Sequence, residues 1–169
     1  MTSIIKVDQI QTASGTNVMS FDSSGRVSHS GNVVSFKANL SGNMNAPSQS
    51  TWTTITYNTK AFDIGNNFNT STNAFTAPVT GIYYFYHSMS YIANTGSESS
   101  GIISIYDVTN STVLSNVDFY IKGSDARYGS CCSAIASLAA GTQIVGRIYG
   151  PPRGVDSGSG TQLAGYLIG

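Results

Sequence analysis

Short runs of Val, Ile, Tyr, Phe and Thr recur along the chain, each closed by a cluster of Gly, Asn, Ser or Pro, and apolar residues at helical spacing are almost absent. A chain punctuated in this way buries its apolar side chains as paired strands, with the turn residues supplying the reversals. The pattern predicts strands over 33–40, 51–59, 81–91, 101–107, 113–119, 128–138, 143–149 and 162–168. Turns are expected at Ser41-Gly42-Asn43, Asn94-Thr95-Gly96 and Ala140-Gly141, with an excursion over 150–160 where Pro151 and Pro152 cannot donate to a ladder. Eight or more short antiparallel strands in one domain, roughly ten in all, imply an all-β sandwich or jelly roll.

Residues 1–31 read as a separate, extended N-terminal arm and 32–169 as the sandwich. Ile4, Ile5, Val7 and Ile10 form a small apolar cluster with no partner strand in view, and Val18, Phe21 and Val27 are strung between Gly15, Gly25 and Gly31. A stretch this short cannot bury its own apolar side chains. It is expected to pair with copies of itself or to dock on another protein.

Charge narrows the partners. Asp, Glu, Lys and Arg make up 9% of the residues, against roughly 25% in ordinary soluble domains, and the net charge is zero. Hydroxyls and amides must keep the surface wet, and no broad field draws the chain to nucleic acid or an anionic membrane. No stretch approaches the roughly 20 apolar residues that span a bilayer. The opening residues lack a basic segment followed by an apolar one, so no secretory signal is visible. Cys131 and Cys132 are adjacent, cannot staple distant segments, and fit synthesis in a reducing cytoplasm.

The segment 57–87 resembles the signature of the globular head domain of complement component 1q, a relative of the tumour-necrosis-factor jelly roll. That signature sets an aromatic, an Asn or Asp, an aromatic, a Phe and then Gly-x-Tyr-x-Phe at fixed spacings. Tyr57, Asp63, Phe68, Phe75, Gly81, Tyr83 and Phe85 fall on those positions. Tyr57 stands where Phe is usual and His87 where an aromatic is usual. Ala134 to Gly141 is similar to the family's small-residue strand, with Thr142 replacing the usual Asp, and Ala164 to Ile168 is similar to its closing strand. The resemblance covers roughly 33–169 and implies a homotrimer.

Alternation over 81–91 puts Tyr83, Phe85, His87 and Met89 on one face and Ile82, Tyr84, Tyr86 and Ser88 on the other. The first face is expected in the sandwich core. The second is expected against neighbouring copies, as the family's trimers imply. Tyr57, Phe68, Phe75, Tyr83, Tyr84, Phe85, Tyr86 and Tyr166 are thus the expected core and trimer aromatics. Residues 4–16 look like the opening of virion proteins from tailed phages, especially those of marine cyanobacteria. They occupy the place where animal relatives carry a secretory signal and a collagen stalk, and no Gly-X-Y repeat occurs here.

Catalysis is not expected. A nucleophile–base pair needs a His beside Ser or Cys, oriented by a carboxylate. His29 reads as a solvated turn residue, His87 as a packing residue, and the two cysteines as small fillers. No cofactor is implied. Calcium is the one metal the family admits, and Asp107, Asp118, Asp125 and Asp156 are its oxygen donors on paper, although no dense carboxylate loop joins them. Gly154, Gly158 and Gly160 read as loop flexibility, not as a phosphate cradle.

Taken together, these features predict a non-enzymatic, trimeric surface protein of a tailed phage virion, assembled in the host cytoplasm. The arm would dock on other virion proteins while the knob is displayed outward, as in a head-decoration protein or a short fibre knob. The alternative is the receptor-binding tip of a tail fibre, recognising a host surface glycan or protein. A secreted lectin-like or cytokine-like module is a third reading, against which the missing export signal counts.

Overall fold

The computed structural model describes residues 7–15, 17–21, 23–29, 33–45, 51–92, 99–121, 127–150 and 154–169. The chain forms two compact units that divide between Val33 and Val34. Ile4, Ile5, Asp125 and the turn at Asn94-Thr95-Gly96 lie outside the described residues.

The first unit is a three-stranded antiparallel meander of β1 (Gln9–Gln11), β2 (Asn17–Phe21) and β3 (Val27–His29). Ile10 pairs with Met19 and Phe21 with Val27, so the apolar segment of the arm does have partner strands, contrary to the expectation. The sequence reading missed them because strands this short carry almost no alternation. His29 ends β3 and pairs with Met19, in a strand where a turn was expected. The meander cannot enclose a core. Val7, Ile10, Val18 and Phe21 are 47%, 46%, 43% and 37% exposed.

The second unit is all strand and turn among its described residues. In chain order its strands are β4 (Ser35–Leu40), β5 (Met44–Asn45), β6 (Trp52–Thr54), β7 (Thr59–Ile64), β8 (Phe68–Asn69), β9 (Ala74–Thr76), β10 (Gly81–Ile92) and β11 (Ser99–Asp107). They continue with β12 (Thr112–Ile121), β13 (Arg127–Leu138), β14 (Gln143–Tyr149), β15 (Gly154–Val155) and β16 (Gly158–Leu167). Several are two-residue pieces, which is why the structure holds more strands than the ten or so expected. Gly154, Gly158 and Gly160 are strand residues, not a flexible loop: Gly154 pairs with Asn45, and Gly158 opens a bulge against β4. Gly42 and Gly141 occupy left-handed turn positions, at φ +94° and +88°, where a Cβ would be strained.

Two sheets face each other. β10 lies at the centre of the first, paired with β13 on one edge and with β16 and β15 on the other, and β4 and β7 follow outward from β16. The second runs β12, β11, β14, β9, β8, with β6 also on β14. Alternation puts Phe36, Tyr83, Phe85, Met89, Tyr91 and Leu163 inward from the first sheet and Ile103, Ile105, Phe119, Ile144 and Ile148 inward from the second. Phe36 stacks between Phe68 and Phe75, with ring centroids 5.2 and 4.7 Å away. Each such side chain removed from water contributes about 1.5–3 kcal/mol, so the face that the period of two selects is the face that holds the sandwich together.

Candidate functional site

The residues singled out from the sequence divide into two sets. Tyr57, Phe68, Phe75, Tyr83 and Phe85 are all core residues, none more than 2% exposed. Tyr84, Tyr86 and Tyr166 lie on the outward face of the first sheet, Tyr84 and Tyr86 half-buried and Tyr166 exposed. Asp63, on the family's Asn or Asp position, is structural. Its carboxylate accepts from the Asn67 and Phe68 backbone N–H groups at 2.9 and 3.1 Å and pairs with Lys60 at 3.0 Å.

His87 sits wholly inside the sandwich. Its ring meets Tyr57 edge-on at 6.1 Å, and neither of its nitrogens nor the Tyr57 hydroxyl has a hydrogen-bond partner. Burial pulls its pKa down to about 4, with the Ser104 backbone opposing weakly. A neutral imidazole sealed from solvent has no substrate to exchange a proton with. Cys132 is buried beside it in register, and burial pushes its thiol up to about 11. Cys131 is exposed, so only one of the two cysteines is a core filler. Among the described residues no three His, Cys, Asp or Glu converge. Asp107 instead accepts from the Asn110 backbone and side chain at 2.9 and 2.8 Å, closing a tight turn.

The outward face of the first sheet is built in rows by strand register. Ile135, Tyr84, Tyr166, Ser35 and Ile64 lie side by side across β13, β10, β16, β4 and β7. In the next row stand Ser133, Tyr86, Ala164, Lys37 and Phe62, and in the one after it Cys131, Ser88, Gln162 and Asn39. One end of the face is therefore apolar: Ile135 is 69% exposed, Ile64 50% and Tyr166 48%, with Tyr84 and Tyr166 rings 5.3 Å apart. The other end is polar and forms an open groove of about 700 Å³ lined by Tyr86, Ser88, Ser90, Ser130, Cys131 and Gln162. The Gln162 Oε1 and Asn39 Oδ1 acceptors are buried there without partners.

Sequence reading placed the tyrosines on this face and missed Ile135 and Ile64. Ile135 was legible in principle, since alternation in 128–138 sets it opposite Ala134 and Ala136. Ile64 was not, because 59–64 carries a weak strand signal.

The profile of the C1q domain matches residues 35–168. Among solved structures, the fold is similar to the globular domain of zebrafish complement 1qA, at 17% identity and TM-score 0.57 over 81% of this chain and 98% of that one. It is similar to Eiger TNF from S. frugiperda, at 11% identity and TM-score 0.64 over 82% and 94%. It is also similar to murine APRIL, at 14% identity and TM-score 0.61 over 80% and 99%. No curated protein matches the chain by sequence. With the signature aromatics in the core, the two-sheet topology in place and the profile covering residues 35–168 of the second unit, the chain belongs to the C1q domain family and has a TNF-like jelly-roll fold.

Proposed function

We propose that this chain is a non-enzymatic, homotrimeric surface protein of a tailed phage particle, with its arm docked on other virion proteins and its jelly-roll knob displayed outward. The observation that carries this reading is apolar surface left uncovered in two places. On the knob, the row of Ile135, Tyr84, Tyr166, Ser35 and Ile64 crosses the centre of a sheet with Ile135, Tyr166 and Ile64 exposed and Tyr84 half-buried. Isolated exposed apolar residues are ordinary, but a contiguous row marks a contact surface. A three-fold assembly through this face covers the row. On the arm, Val7, Ile10, Val18 and Phe21 stand exposed on a meander too small to cover them. The virion setting rests on the likeness of residues 4–16 to phage virion proteins.

The receptor-binding tip of a tail fibre is the second reading, favoured by the aromatic side chains Trp52, Tyr106 and Tyr149 on the outward face of the second sheet. An antibody against the knob, viewed on intact particles by electron microscopy, separates the two. Label spread over heads supports a decoration protein, and label confined to tails supports a receptor tip. Label on neither refutes the virion role.

A further inference from the structure

A trimer assembled through the first sheet leaves the outward face of the second sheet free, and that face carries a different chemistry. In β14 the alternation turns Ile144 and Ile148 to the core and sets Val145, which is itself buried, with the half-buried Arg147 and Tyr149 on the opposite face. Register then lines up Thr54, Arg147, Ser104 and Asn116 as a polar row across β6, β14, β11 and β12. Beside it runs the row Trp52, Tyr149, Ile102 and Asp118, and on its other flank Tyr106 lies opposite Val145.

Arg147 is the centre of this arrangement. Its guanidinium carbon lies 4.0 Å from the centroid of the Trp52 ring and 3.3 Å from that of Tyr106. Trp52 is itself steadied by Tyr149, at 5.3 Å between rings. Cation–π stacking and a hydrogen bond to the Tyr106 side chain hold the head group in place but leave most of its five N–H donors without an acceptor. The Nε atom is buried without a partner, and Arg147 stands outside the ion pair of Lys60 and Asp63. A guanidinium fixed flat and lacking a carboxylate is set to take one from outside, by the paired N–H geometry that a guanidinium uniquely provides. Next to it, Ser100, Gly101, Ile102, Asp118 and Tyr149 line a recess of about 230 Å³, room for one ring-sized group.

We propose that Arg147, clamped between Trp52 and Tyr106, binds the carboxylate of an acidic sugar residue in a surface polysaccharide, with Tyr149 and the recess holding the adjoining sugar. Thr54, Asn116 and Asp118 are exposed and offer donors and acceptors to sugar hydroxyls, while the aromatic rings offer apolar faces to the sugar's C–H surface. A densely charged polyphosphate fits poorly: such ligands are held by several Lys or Arg side chains, and the rows that register lines up on this face contain Arg147 as their one cation. This inference rests on the receptor-binding reading and gives it a ligand class.

Trp52 is the only tryptophan in the chain, so its emission reports on the site directly. The full-length protein is titrated with oligogalacturonate, with a sialylated oligosaccharide, with both after reduction of their carboxyls to alcohols, and with a hexaglutamate peptide. The expected result is a saturable change in Trp52 emission with at least one acidic sugar. Carboxyl reduction or Arg147→Gln should weaken that binding about ten-fold or more, as loss of a charged hydrogen-bond pair does. Silence toward both acidic sugars, undiminished binding of the reduced ligands, or an equal response to hexaglutamate overturns the proposal. The reduced-ligand comparison uses the unaltered protein, so it decides the matter even if Arg147→Gln does not fold. If binding fails while label still sits on tails, the Arg147 site falls and the receptor reading survives on another face.

Discussion

Acid should loosen this sandwich from its centre, and His87 should be the reason. The imidazole is completely buried, and its pKa falls from 6.5 to about 4. The groups packed around it offer no counter-charge: the Tyr57 hydroxyl, the Cys132 thiol, the Ser104 backbone, Gly146 and Leu163. Between about pH 4 and 6.5 the unfolded chain therefore binds a proton that the folded chain refuses. Stability from this group is complete above pH 6.5 and is lost as pH falls toward 4. Each tenfold difference in proton affinity is worth about 1.4 kcal/mol, so the loss approaches roughly 3 kcal/mol. His87→Phe keeps a ring of similar shape and removes the titration. Urea unfolding of both proteins at pH 7.5, 5.5 and 4.0, at one protomer concentration, isolates the effect, because every other titrating group is common to the pair. The wild type should lose about 3 kcal/mol more than the variant between the extremes. Parallel pH dependence for the two proteins would refute the placement of a neutral, unpaired His87 in the core.

Four further outcomes are expected. Tyr84→Asp puts a charge into the apolar row and should convert the proposed trimer to monomer or aggregate; an unchanged trimer mass in solution removes Tyr84 from the contact. In the same variant Cys131, freed of its neighbours, should react with a thiol reagent faster than in the trimer, while Cys132 stays unlabelled until denaturant is added, as mass spectrometry would show. Gly165→Ala sets a Cβ at 2.6 Å from the Phe85 ring and 2.9 Å from the Tyr84 carbonyl oxygen, so it should cost about 1–3 kcal/mol by overpacking, read as a lower urea midpoint. Deleting residues 1–14 should leave a folded, soluble knob that no longer joins particles, and normal incorporation of the truncated protein would end the docking role of the arm.

Much of this was legible in the residues alone, and the reason is locality. Whether a segment is a strand, and which of its faces is apolar, depends on neighbours two positions away. The core face of β10, the turns at Gly42 and Gly141, and the signature from Tyr57 to Phe85 could all be read from the sequence. The arm's hairpins and the strand Thr59–Ile64 could not, since runs that short or that polar fall below the strength of the alternation signal.

Tertiary structure decided which strands stand side by side. Tyr84 meets Ile135 and Tyr166 only because β10 pairs with β13 and β16, and Arg147 lies between Trp52 and Tyr106 only because β14 is flanked by β6 and β11. Those registers are selected by the summed packing of the whole core, with contributions from residues far apart in the chain. The composition of each strand was local information, but the rows that make a surface able to recognise something exist only once the sheet has closed.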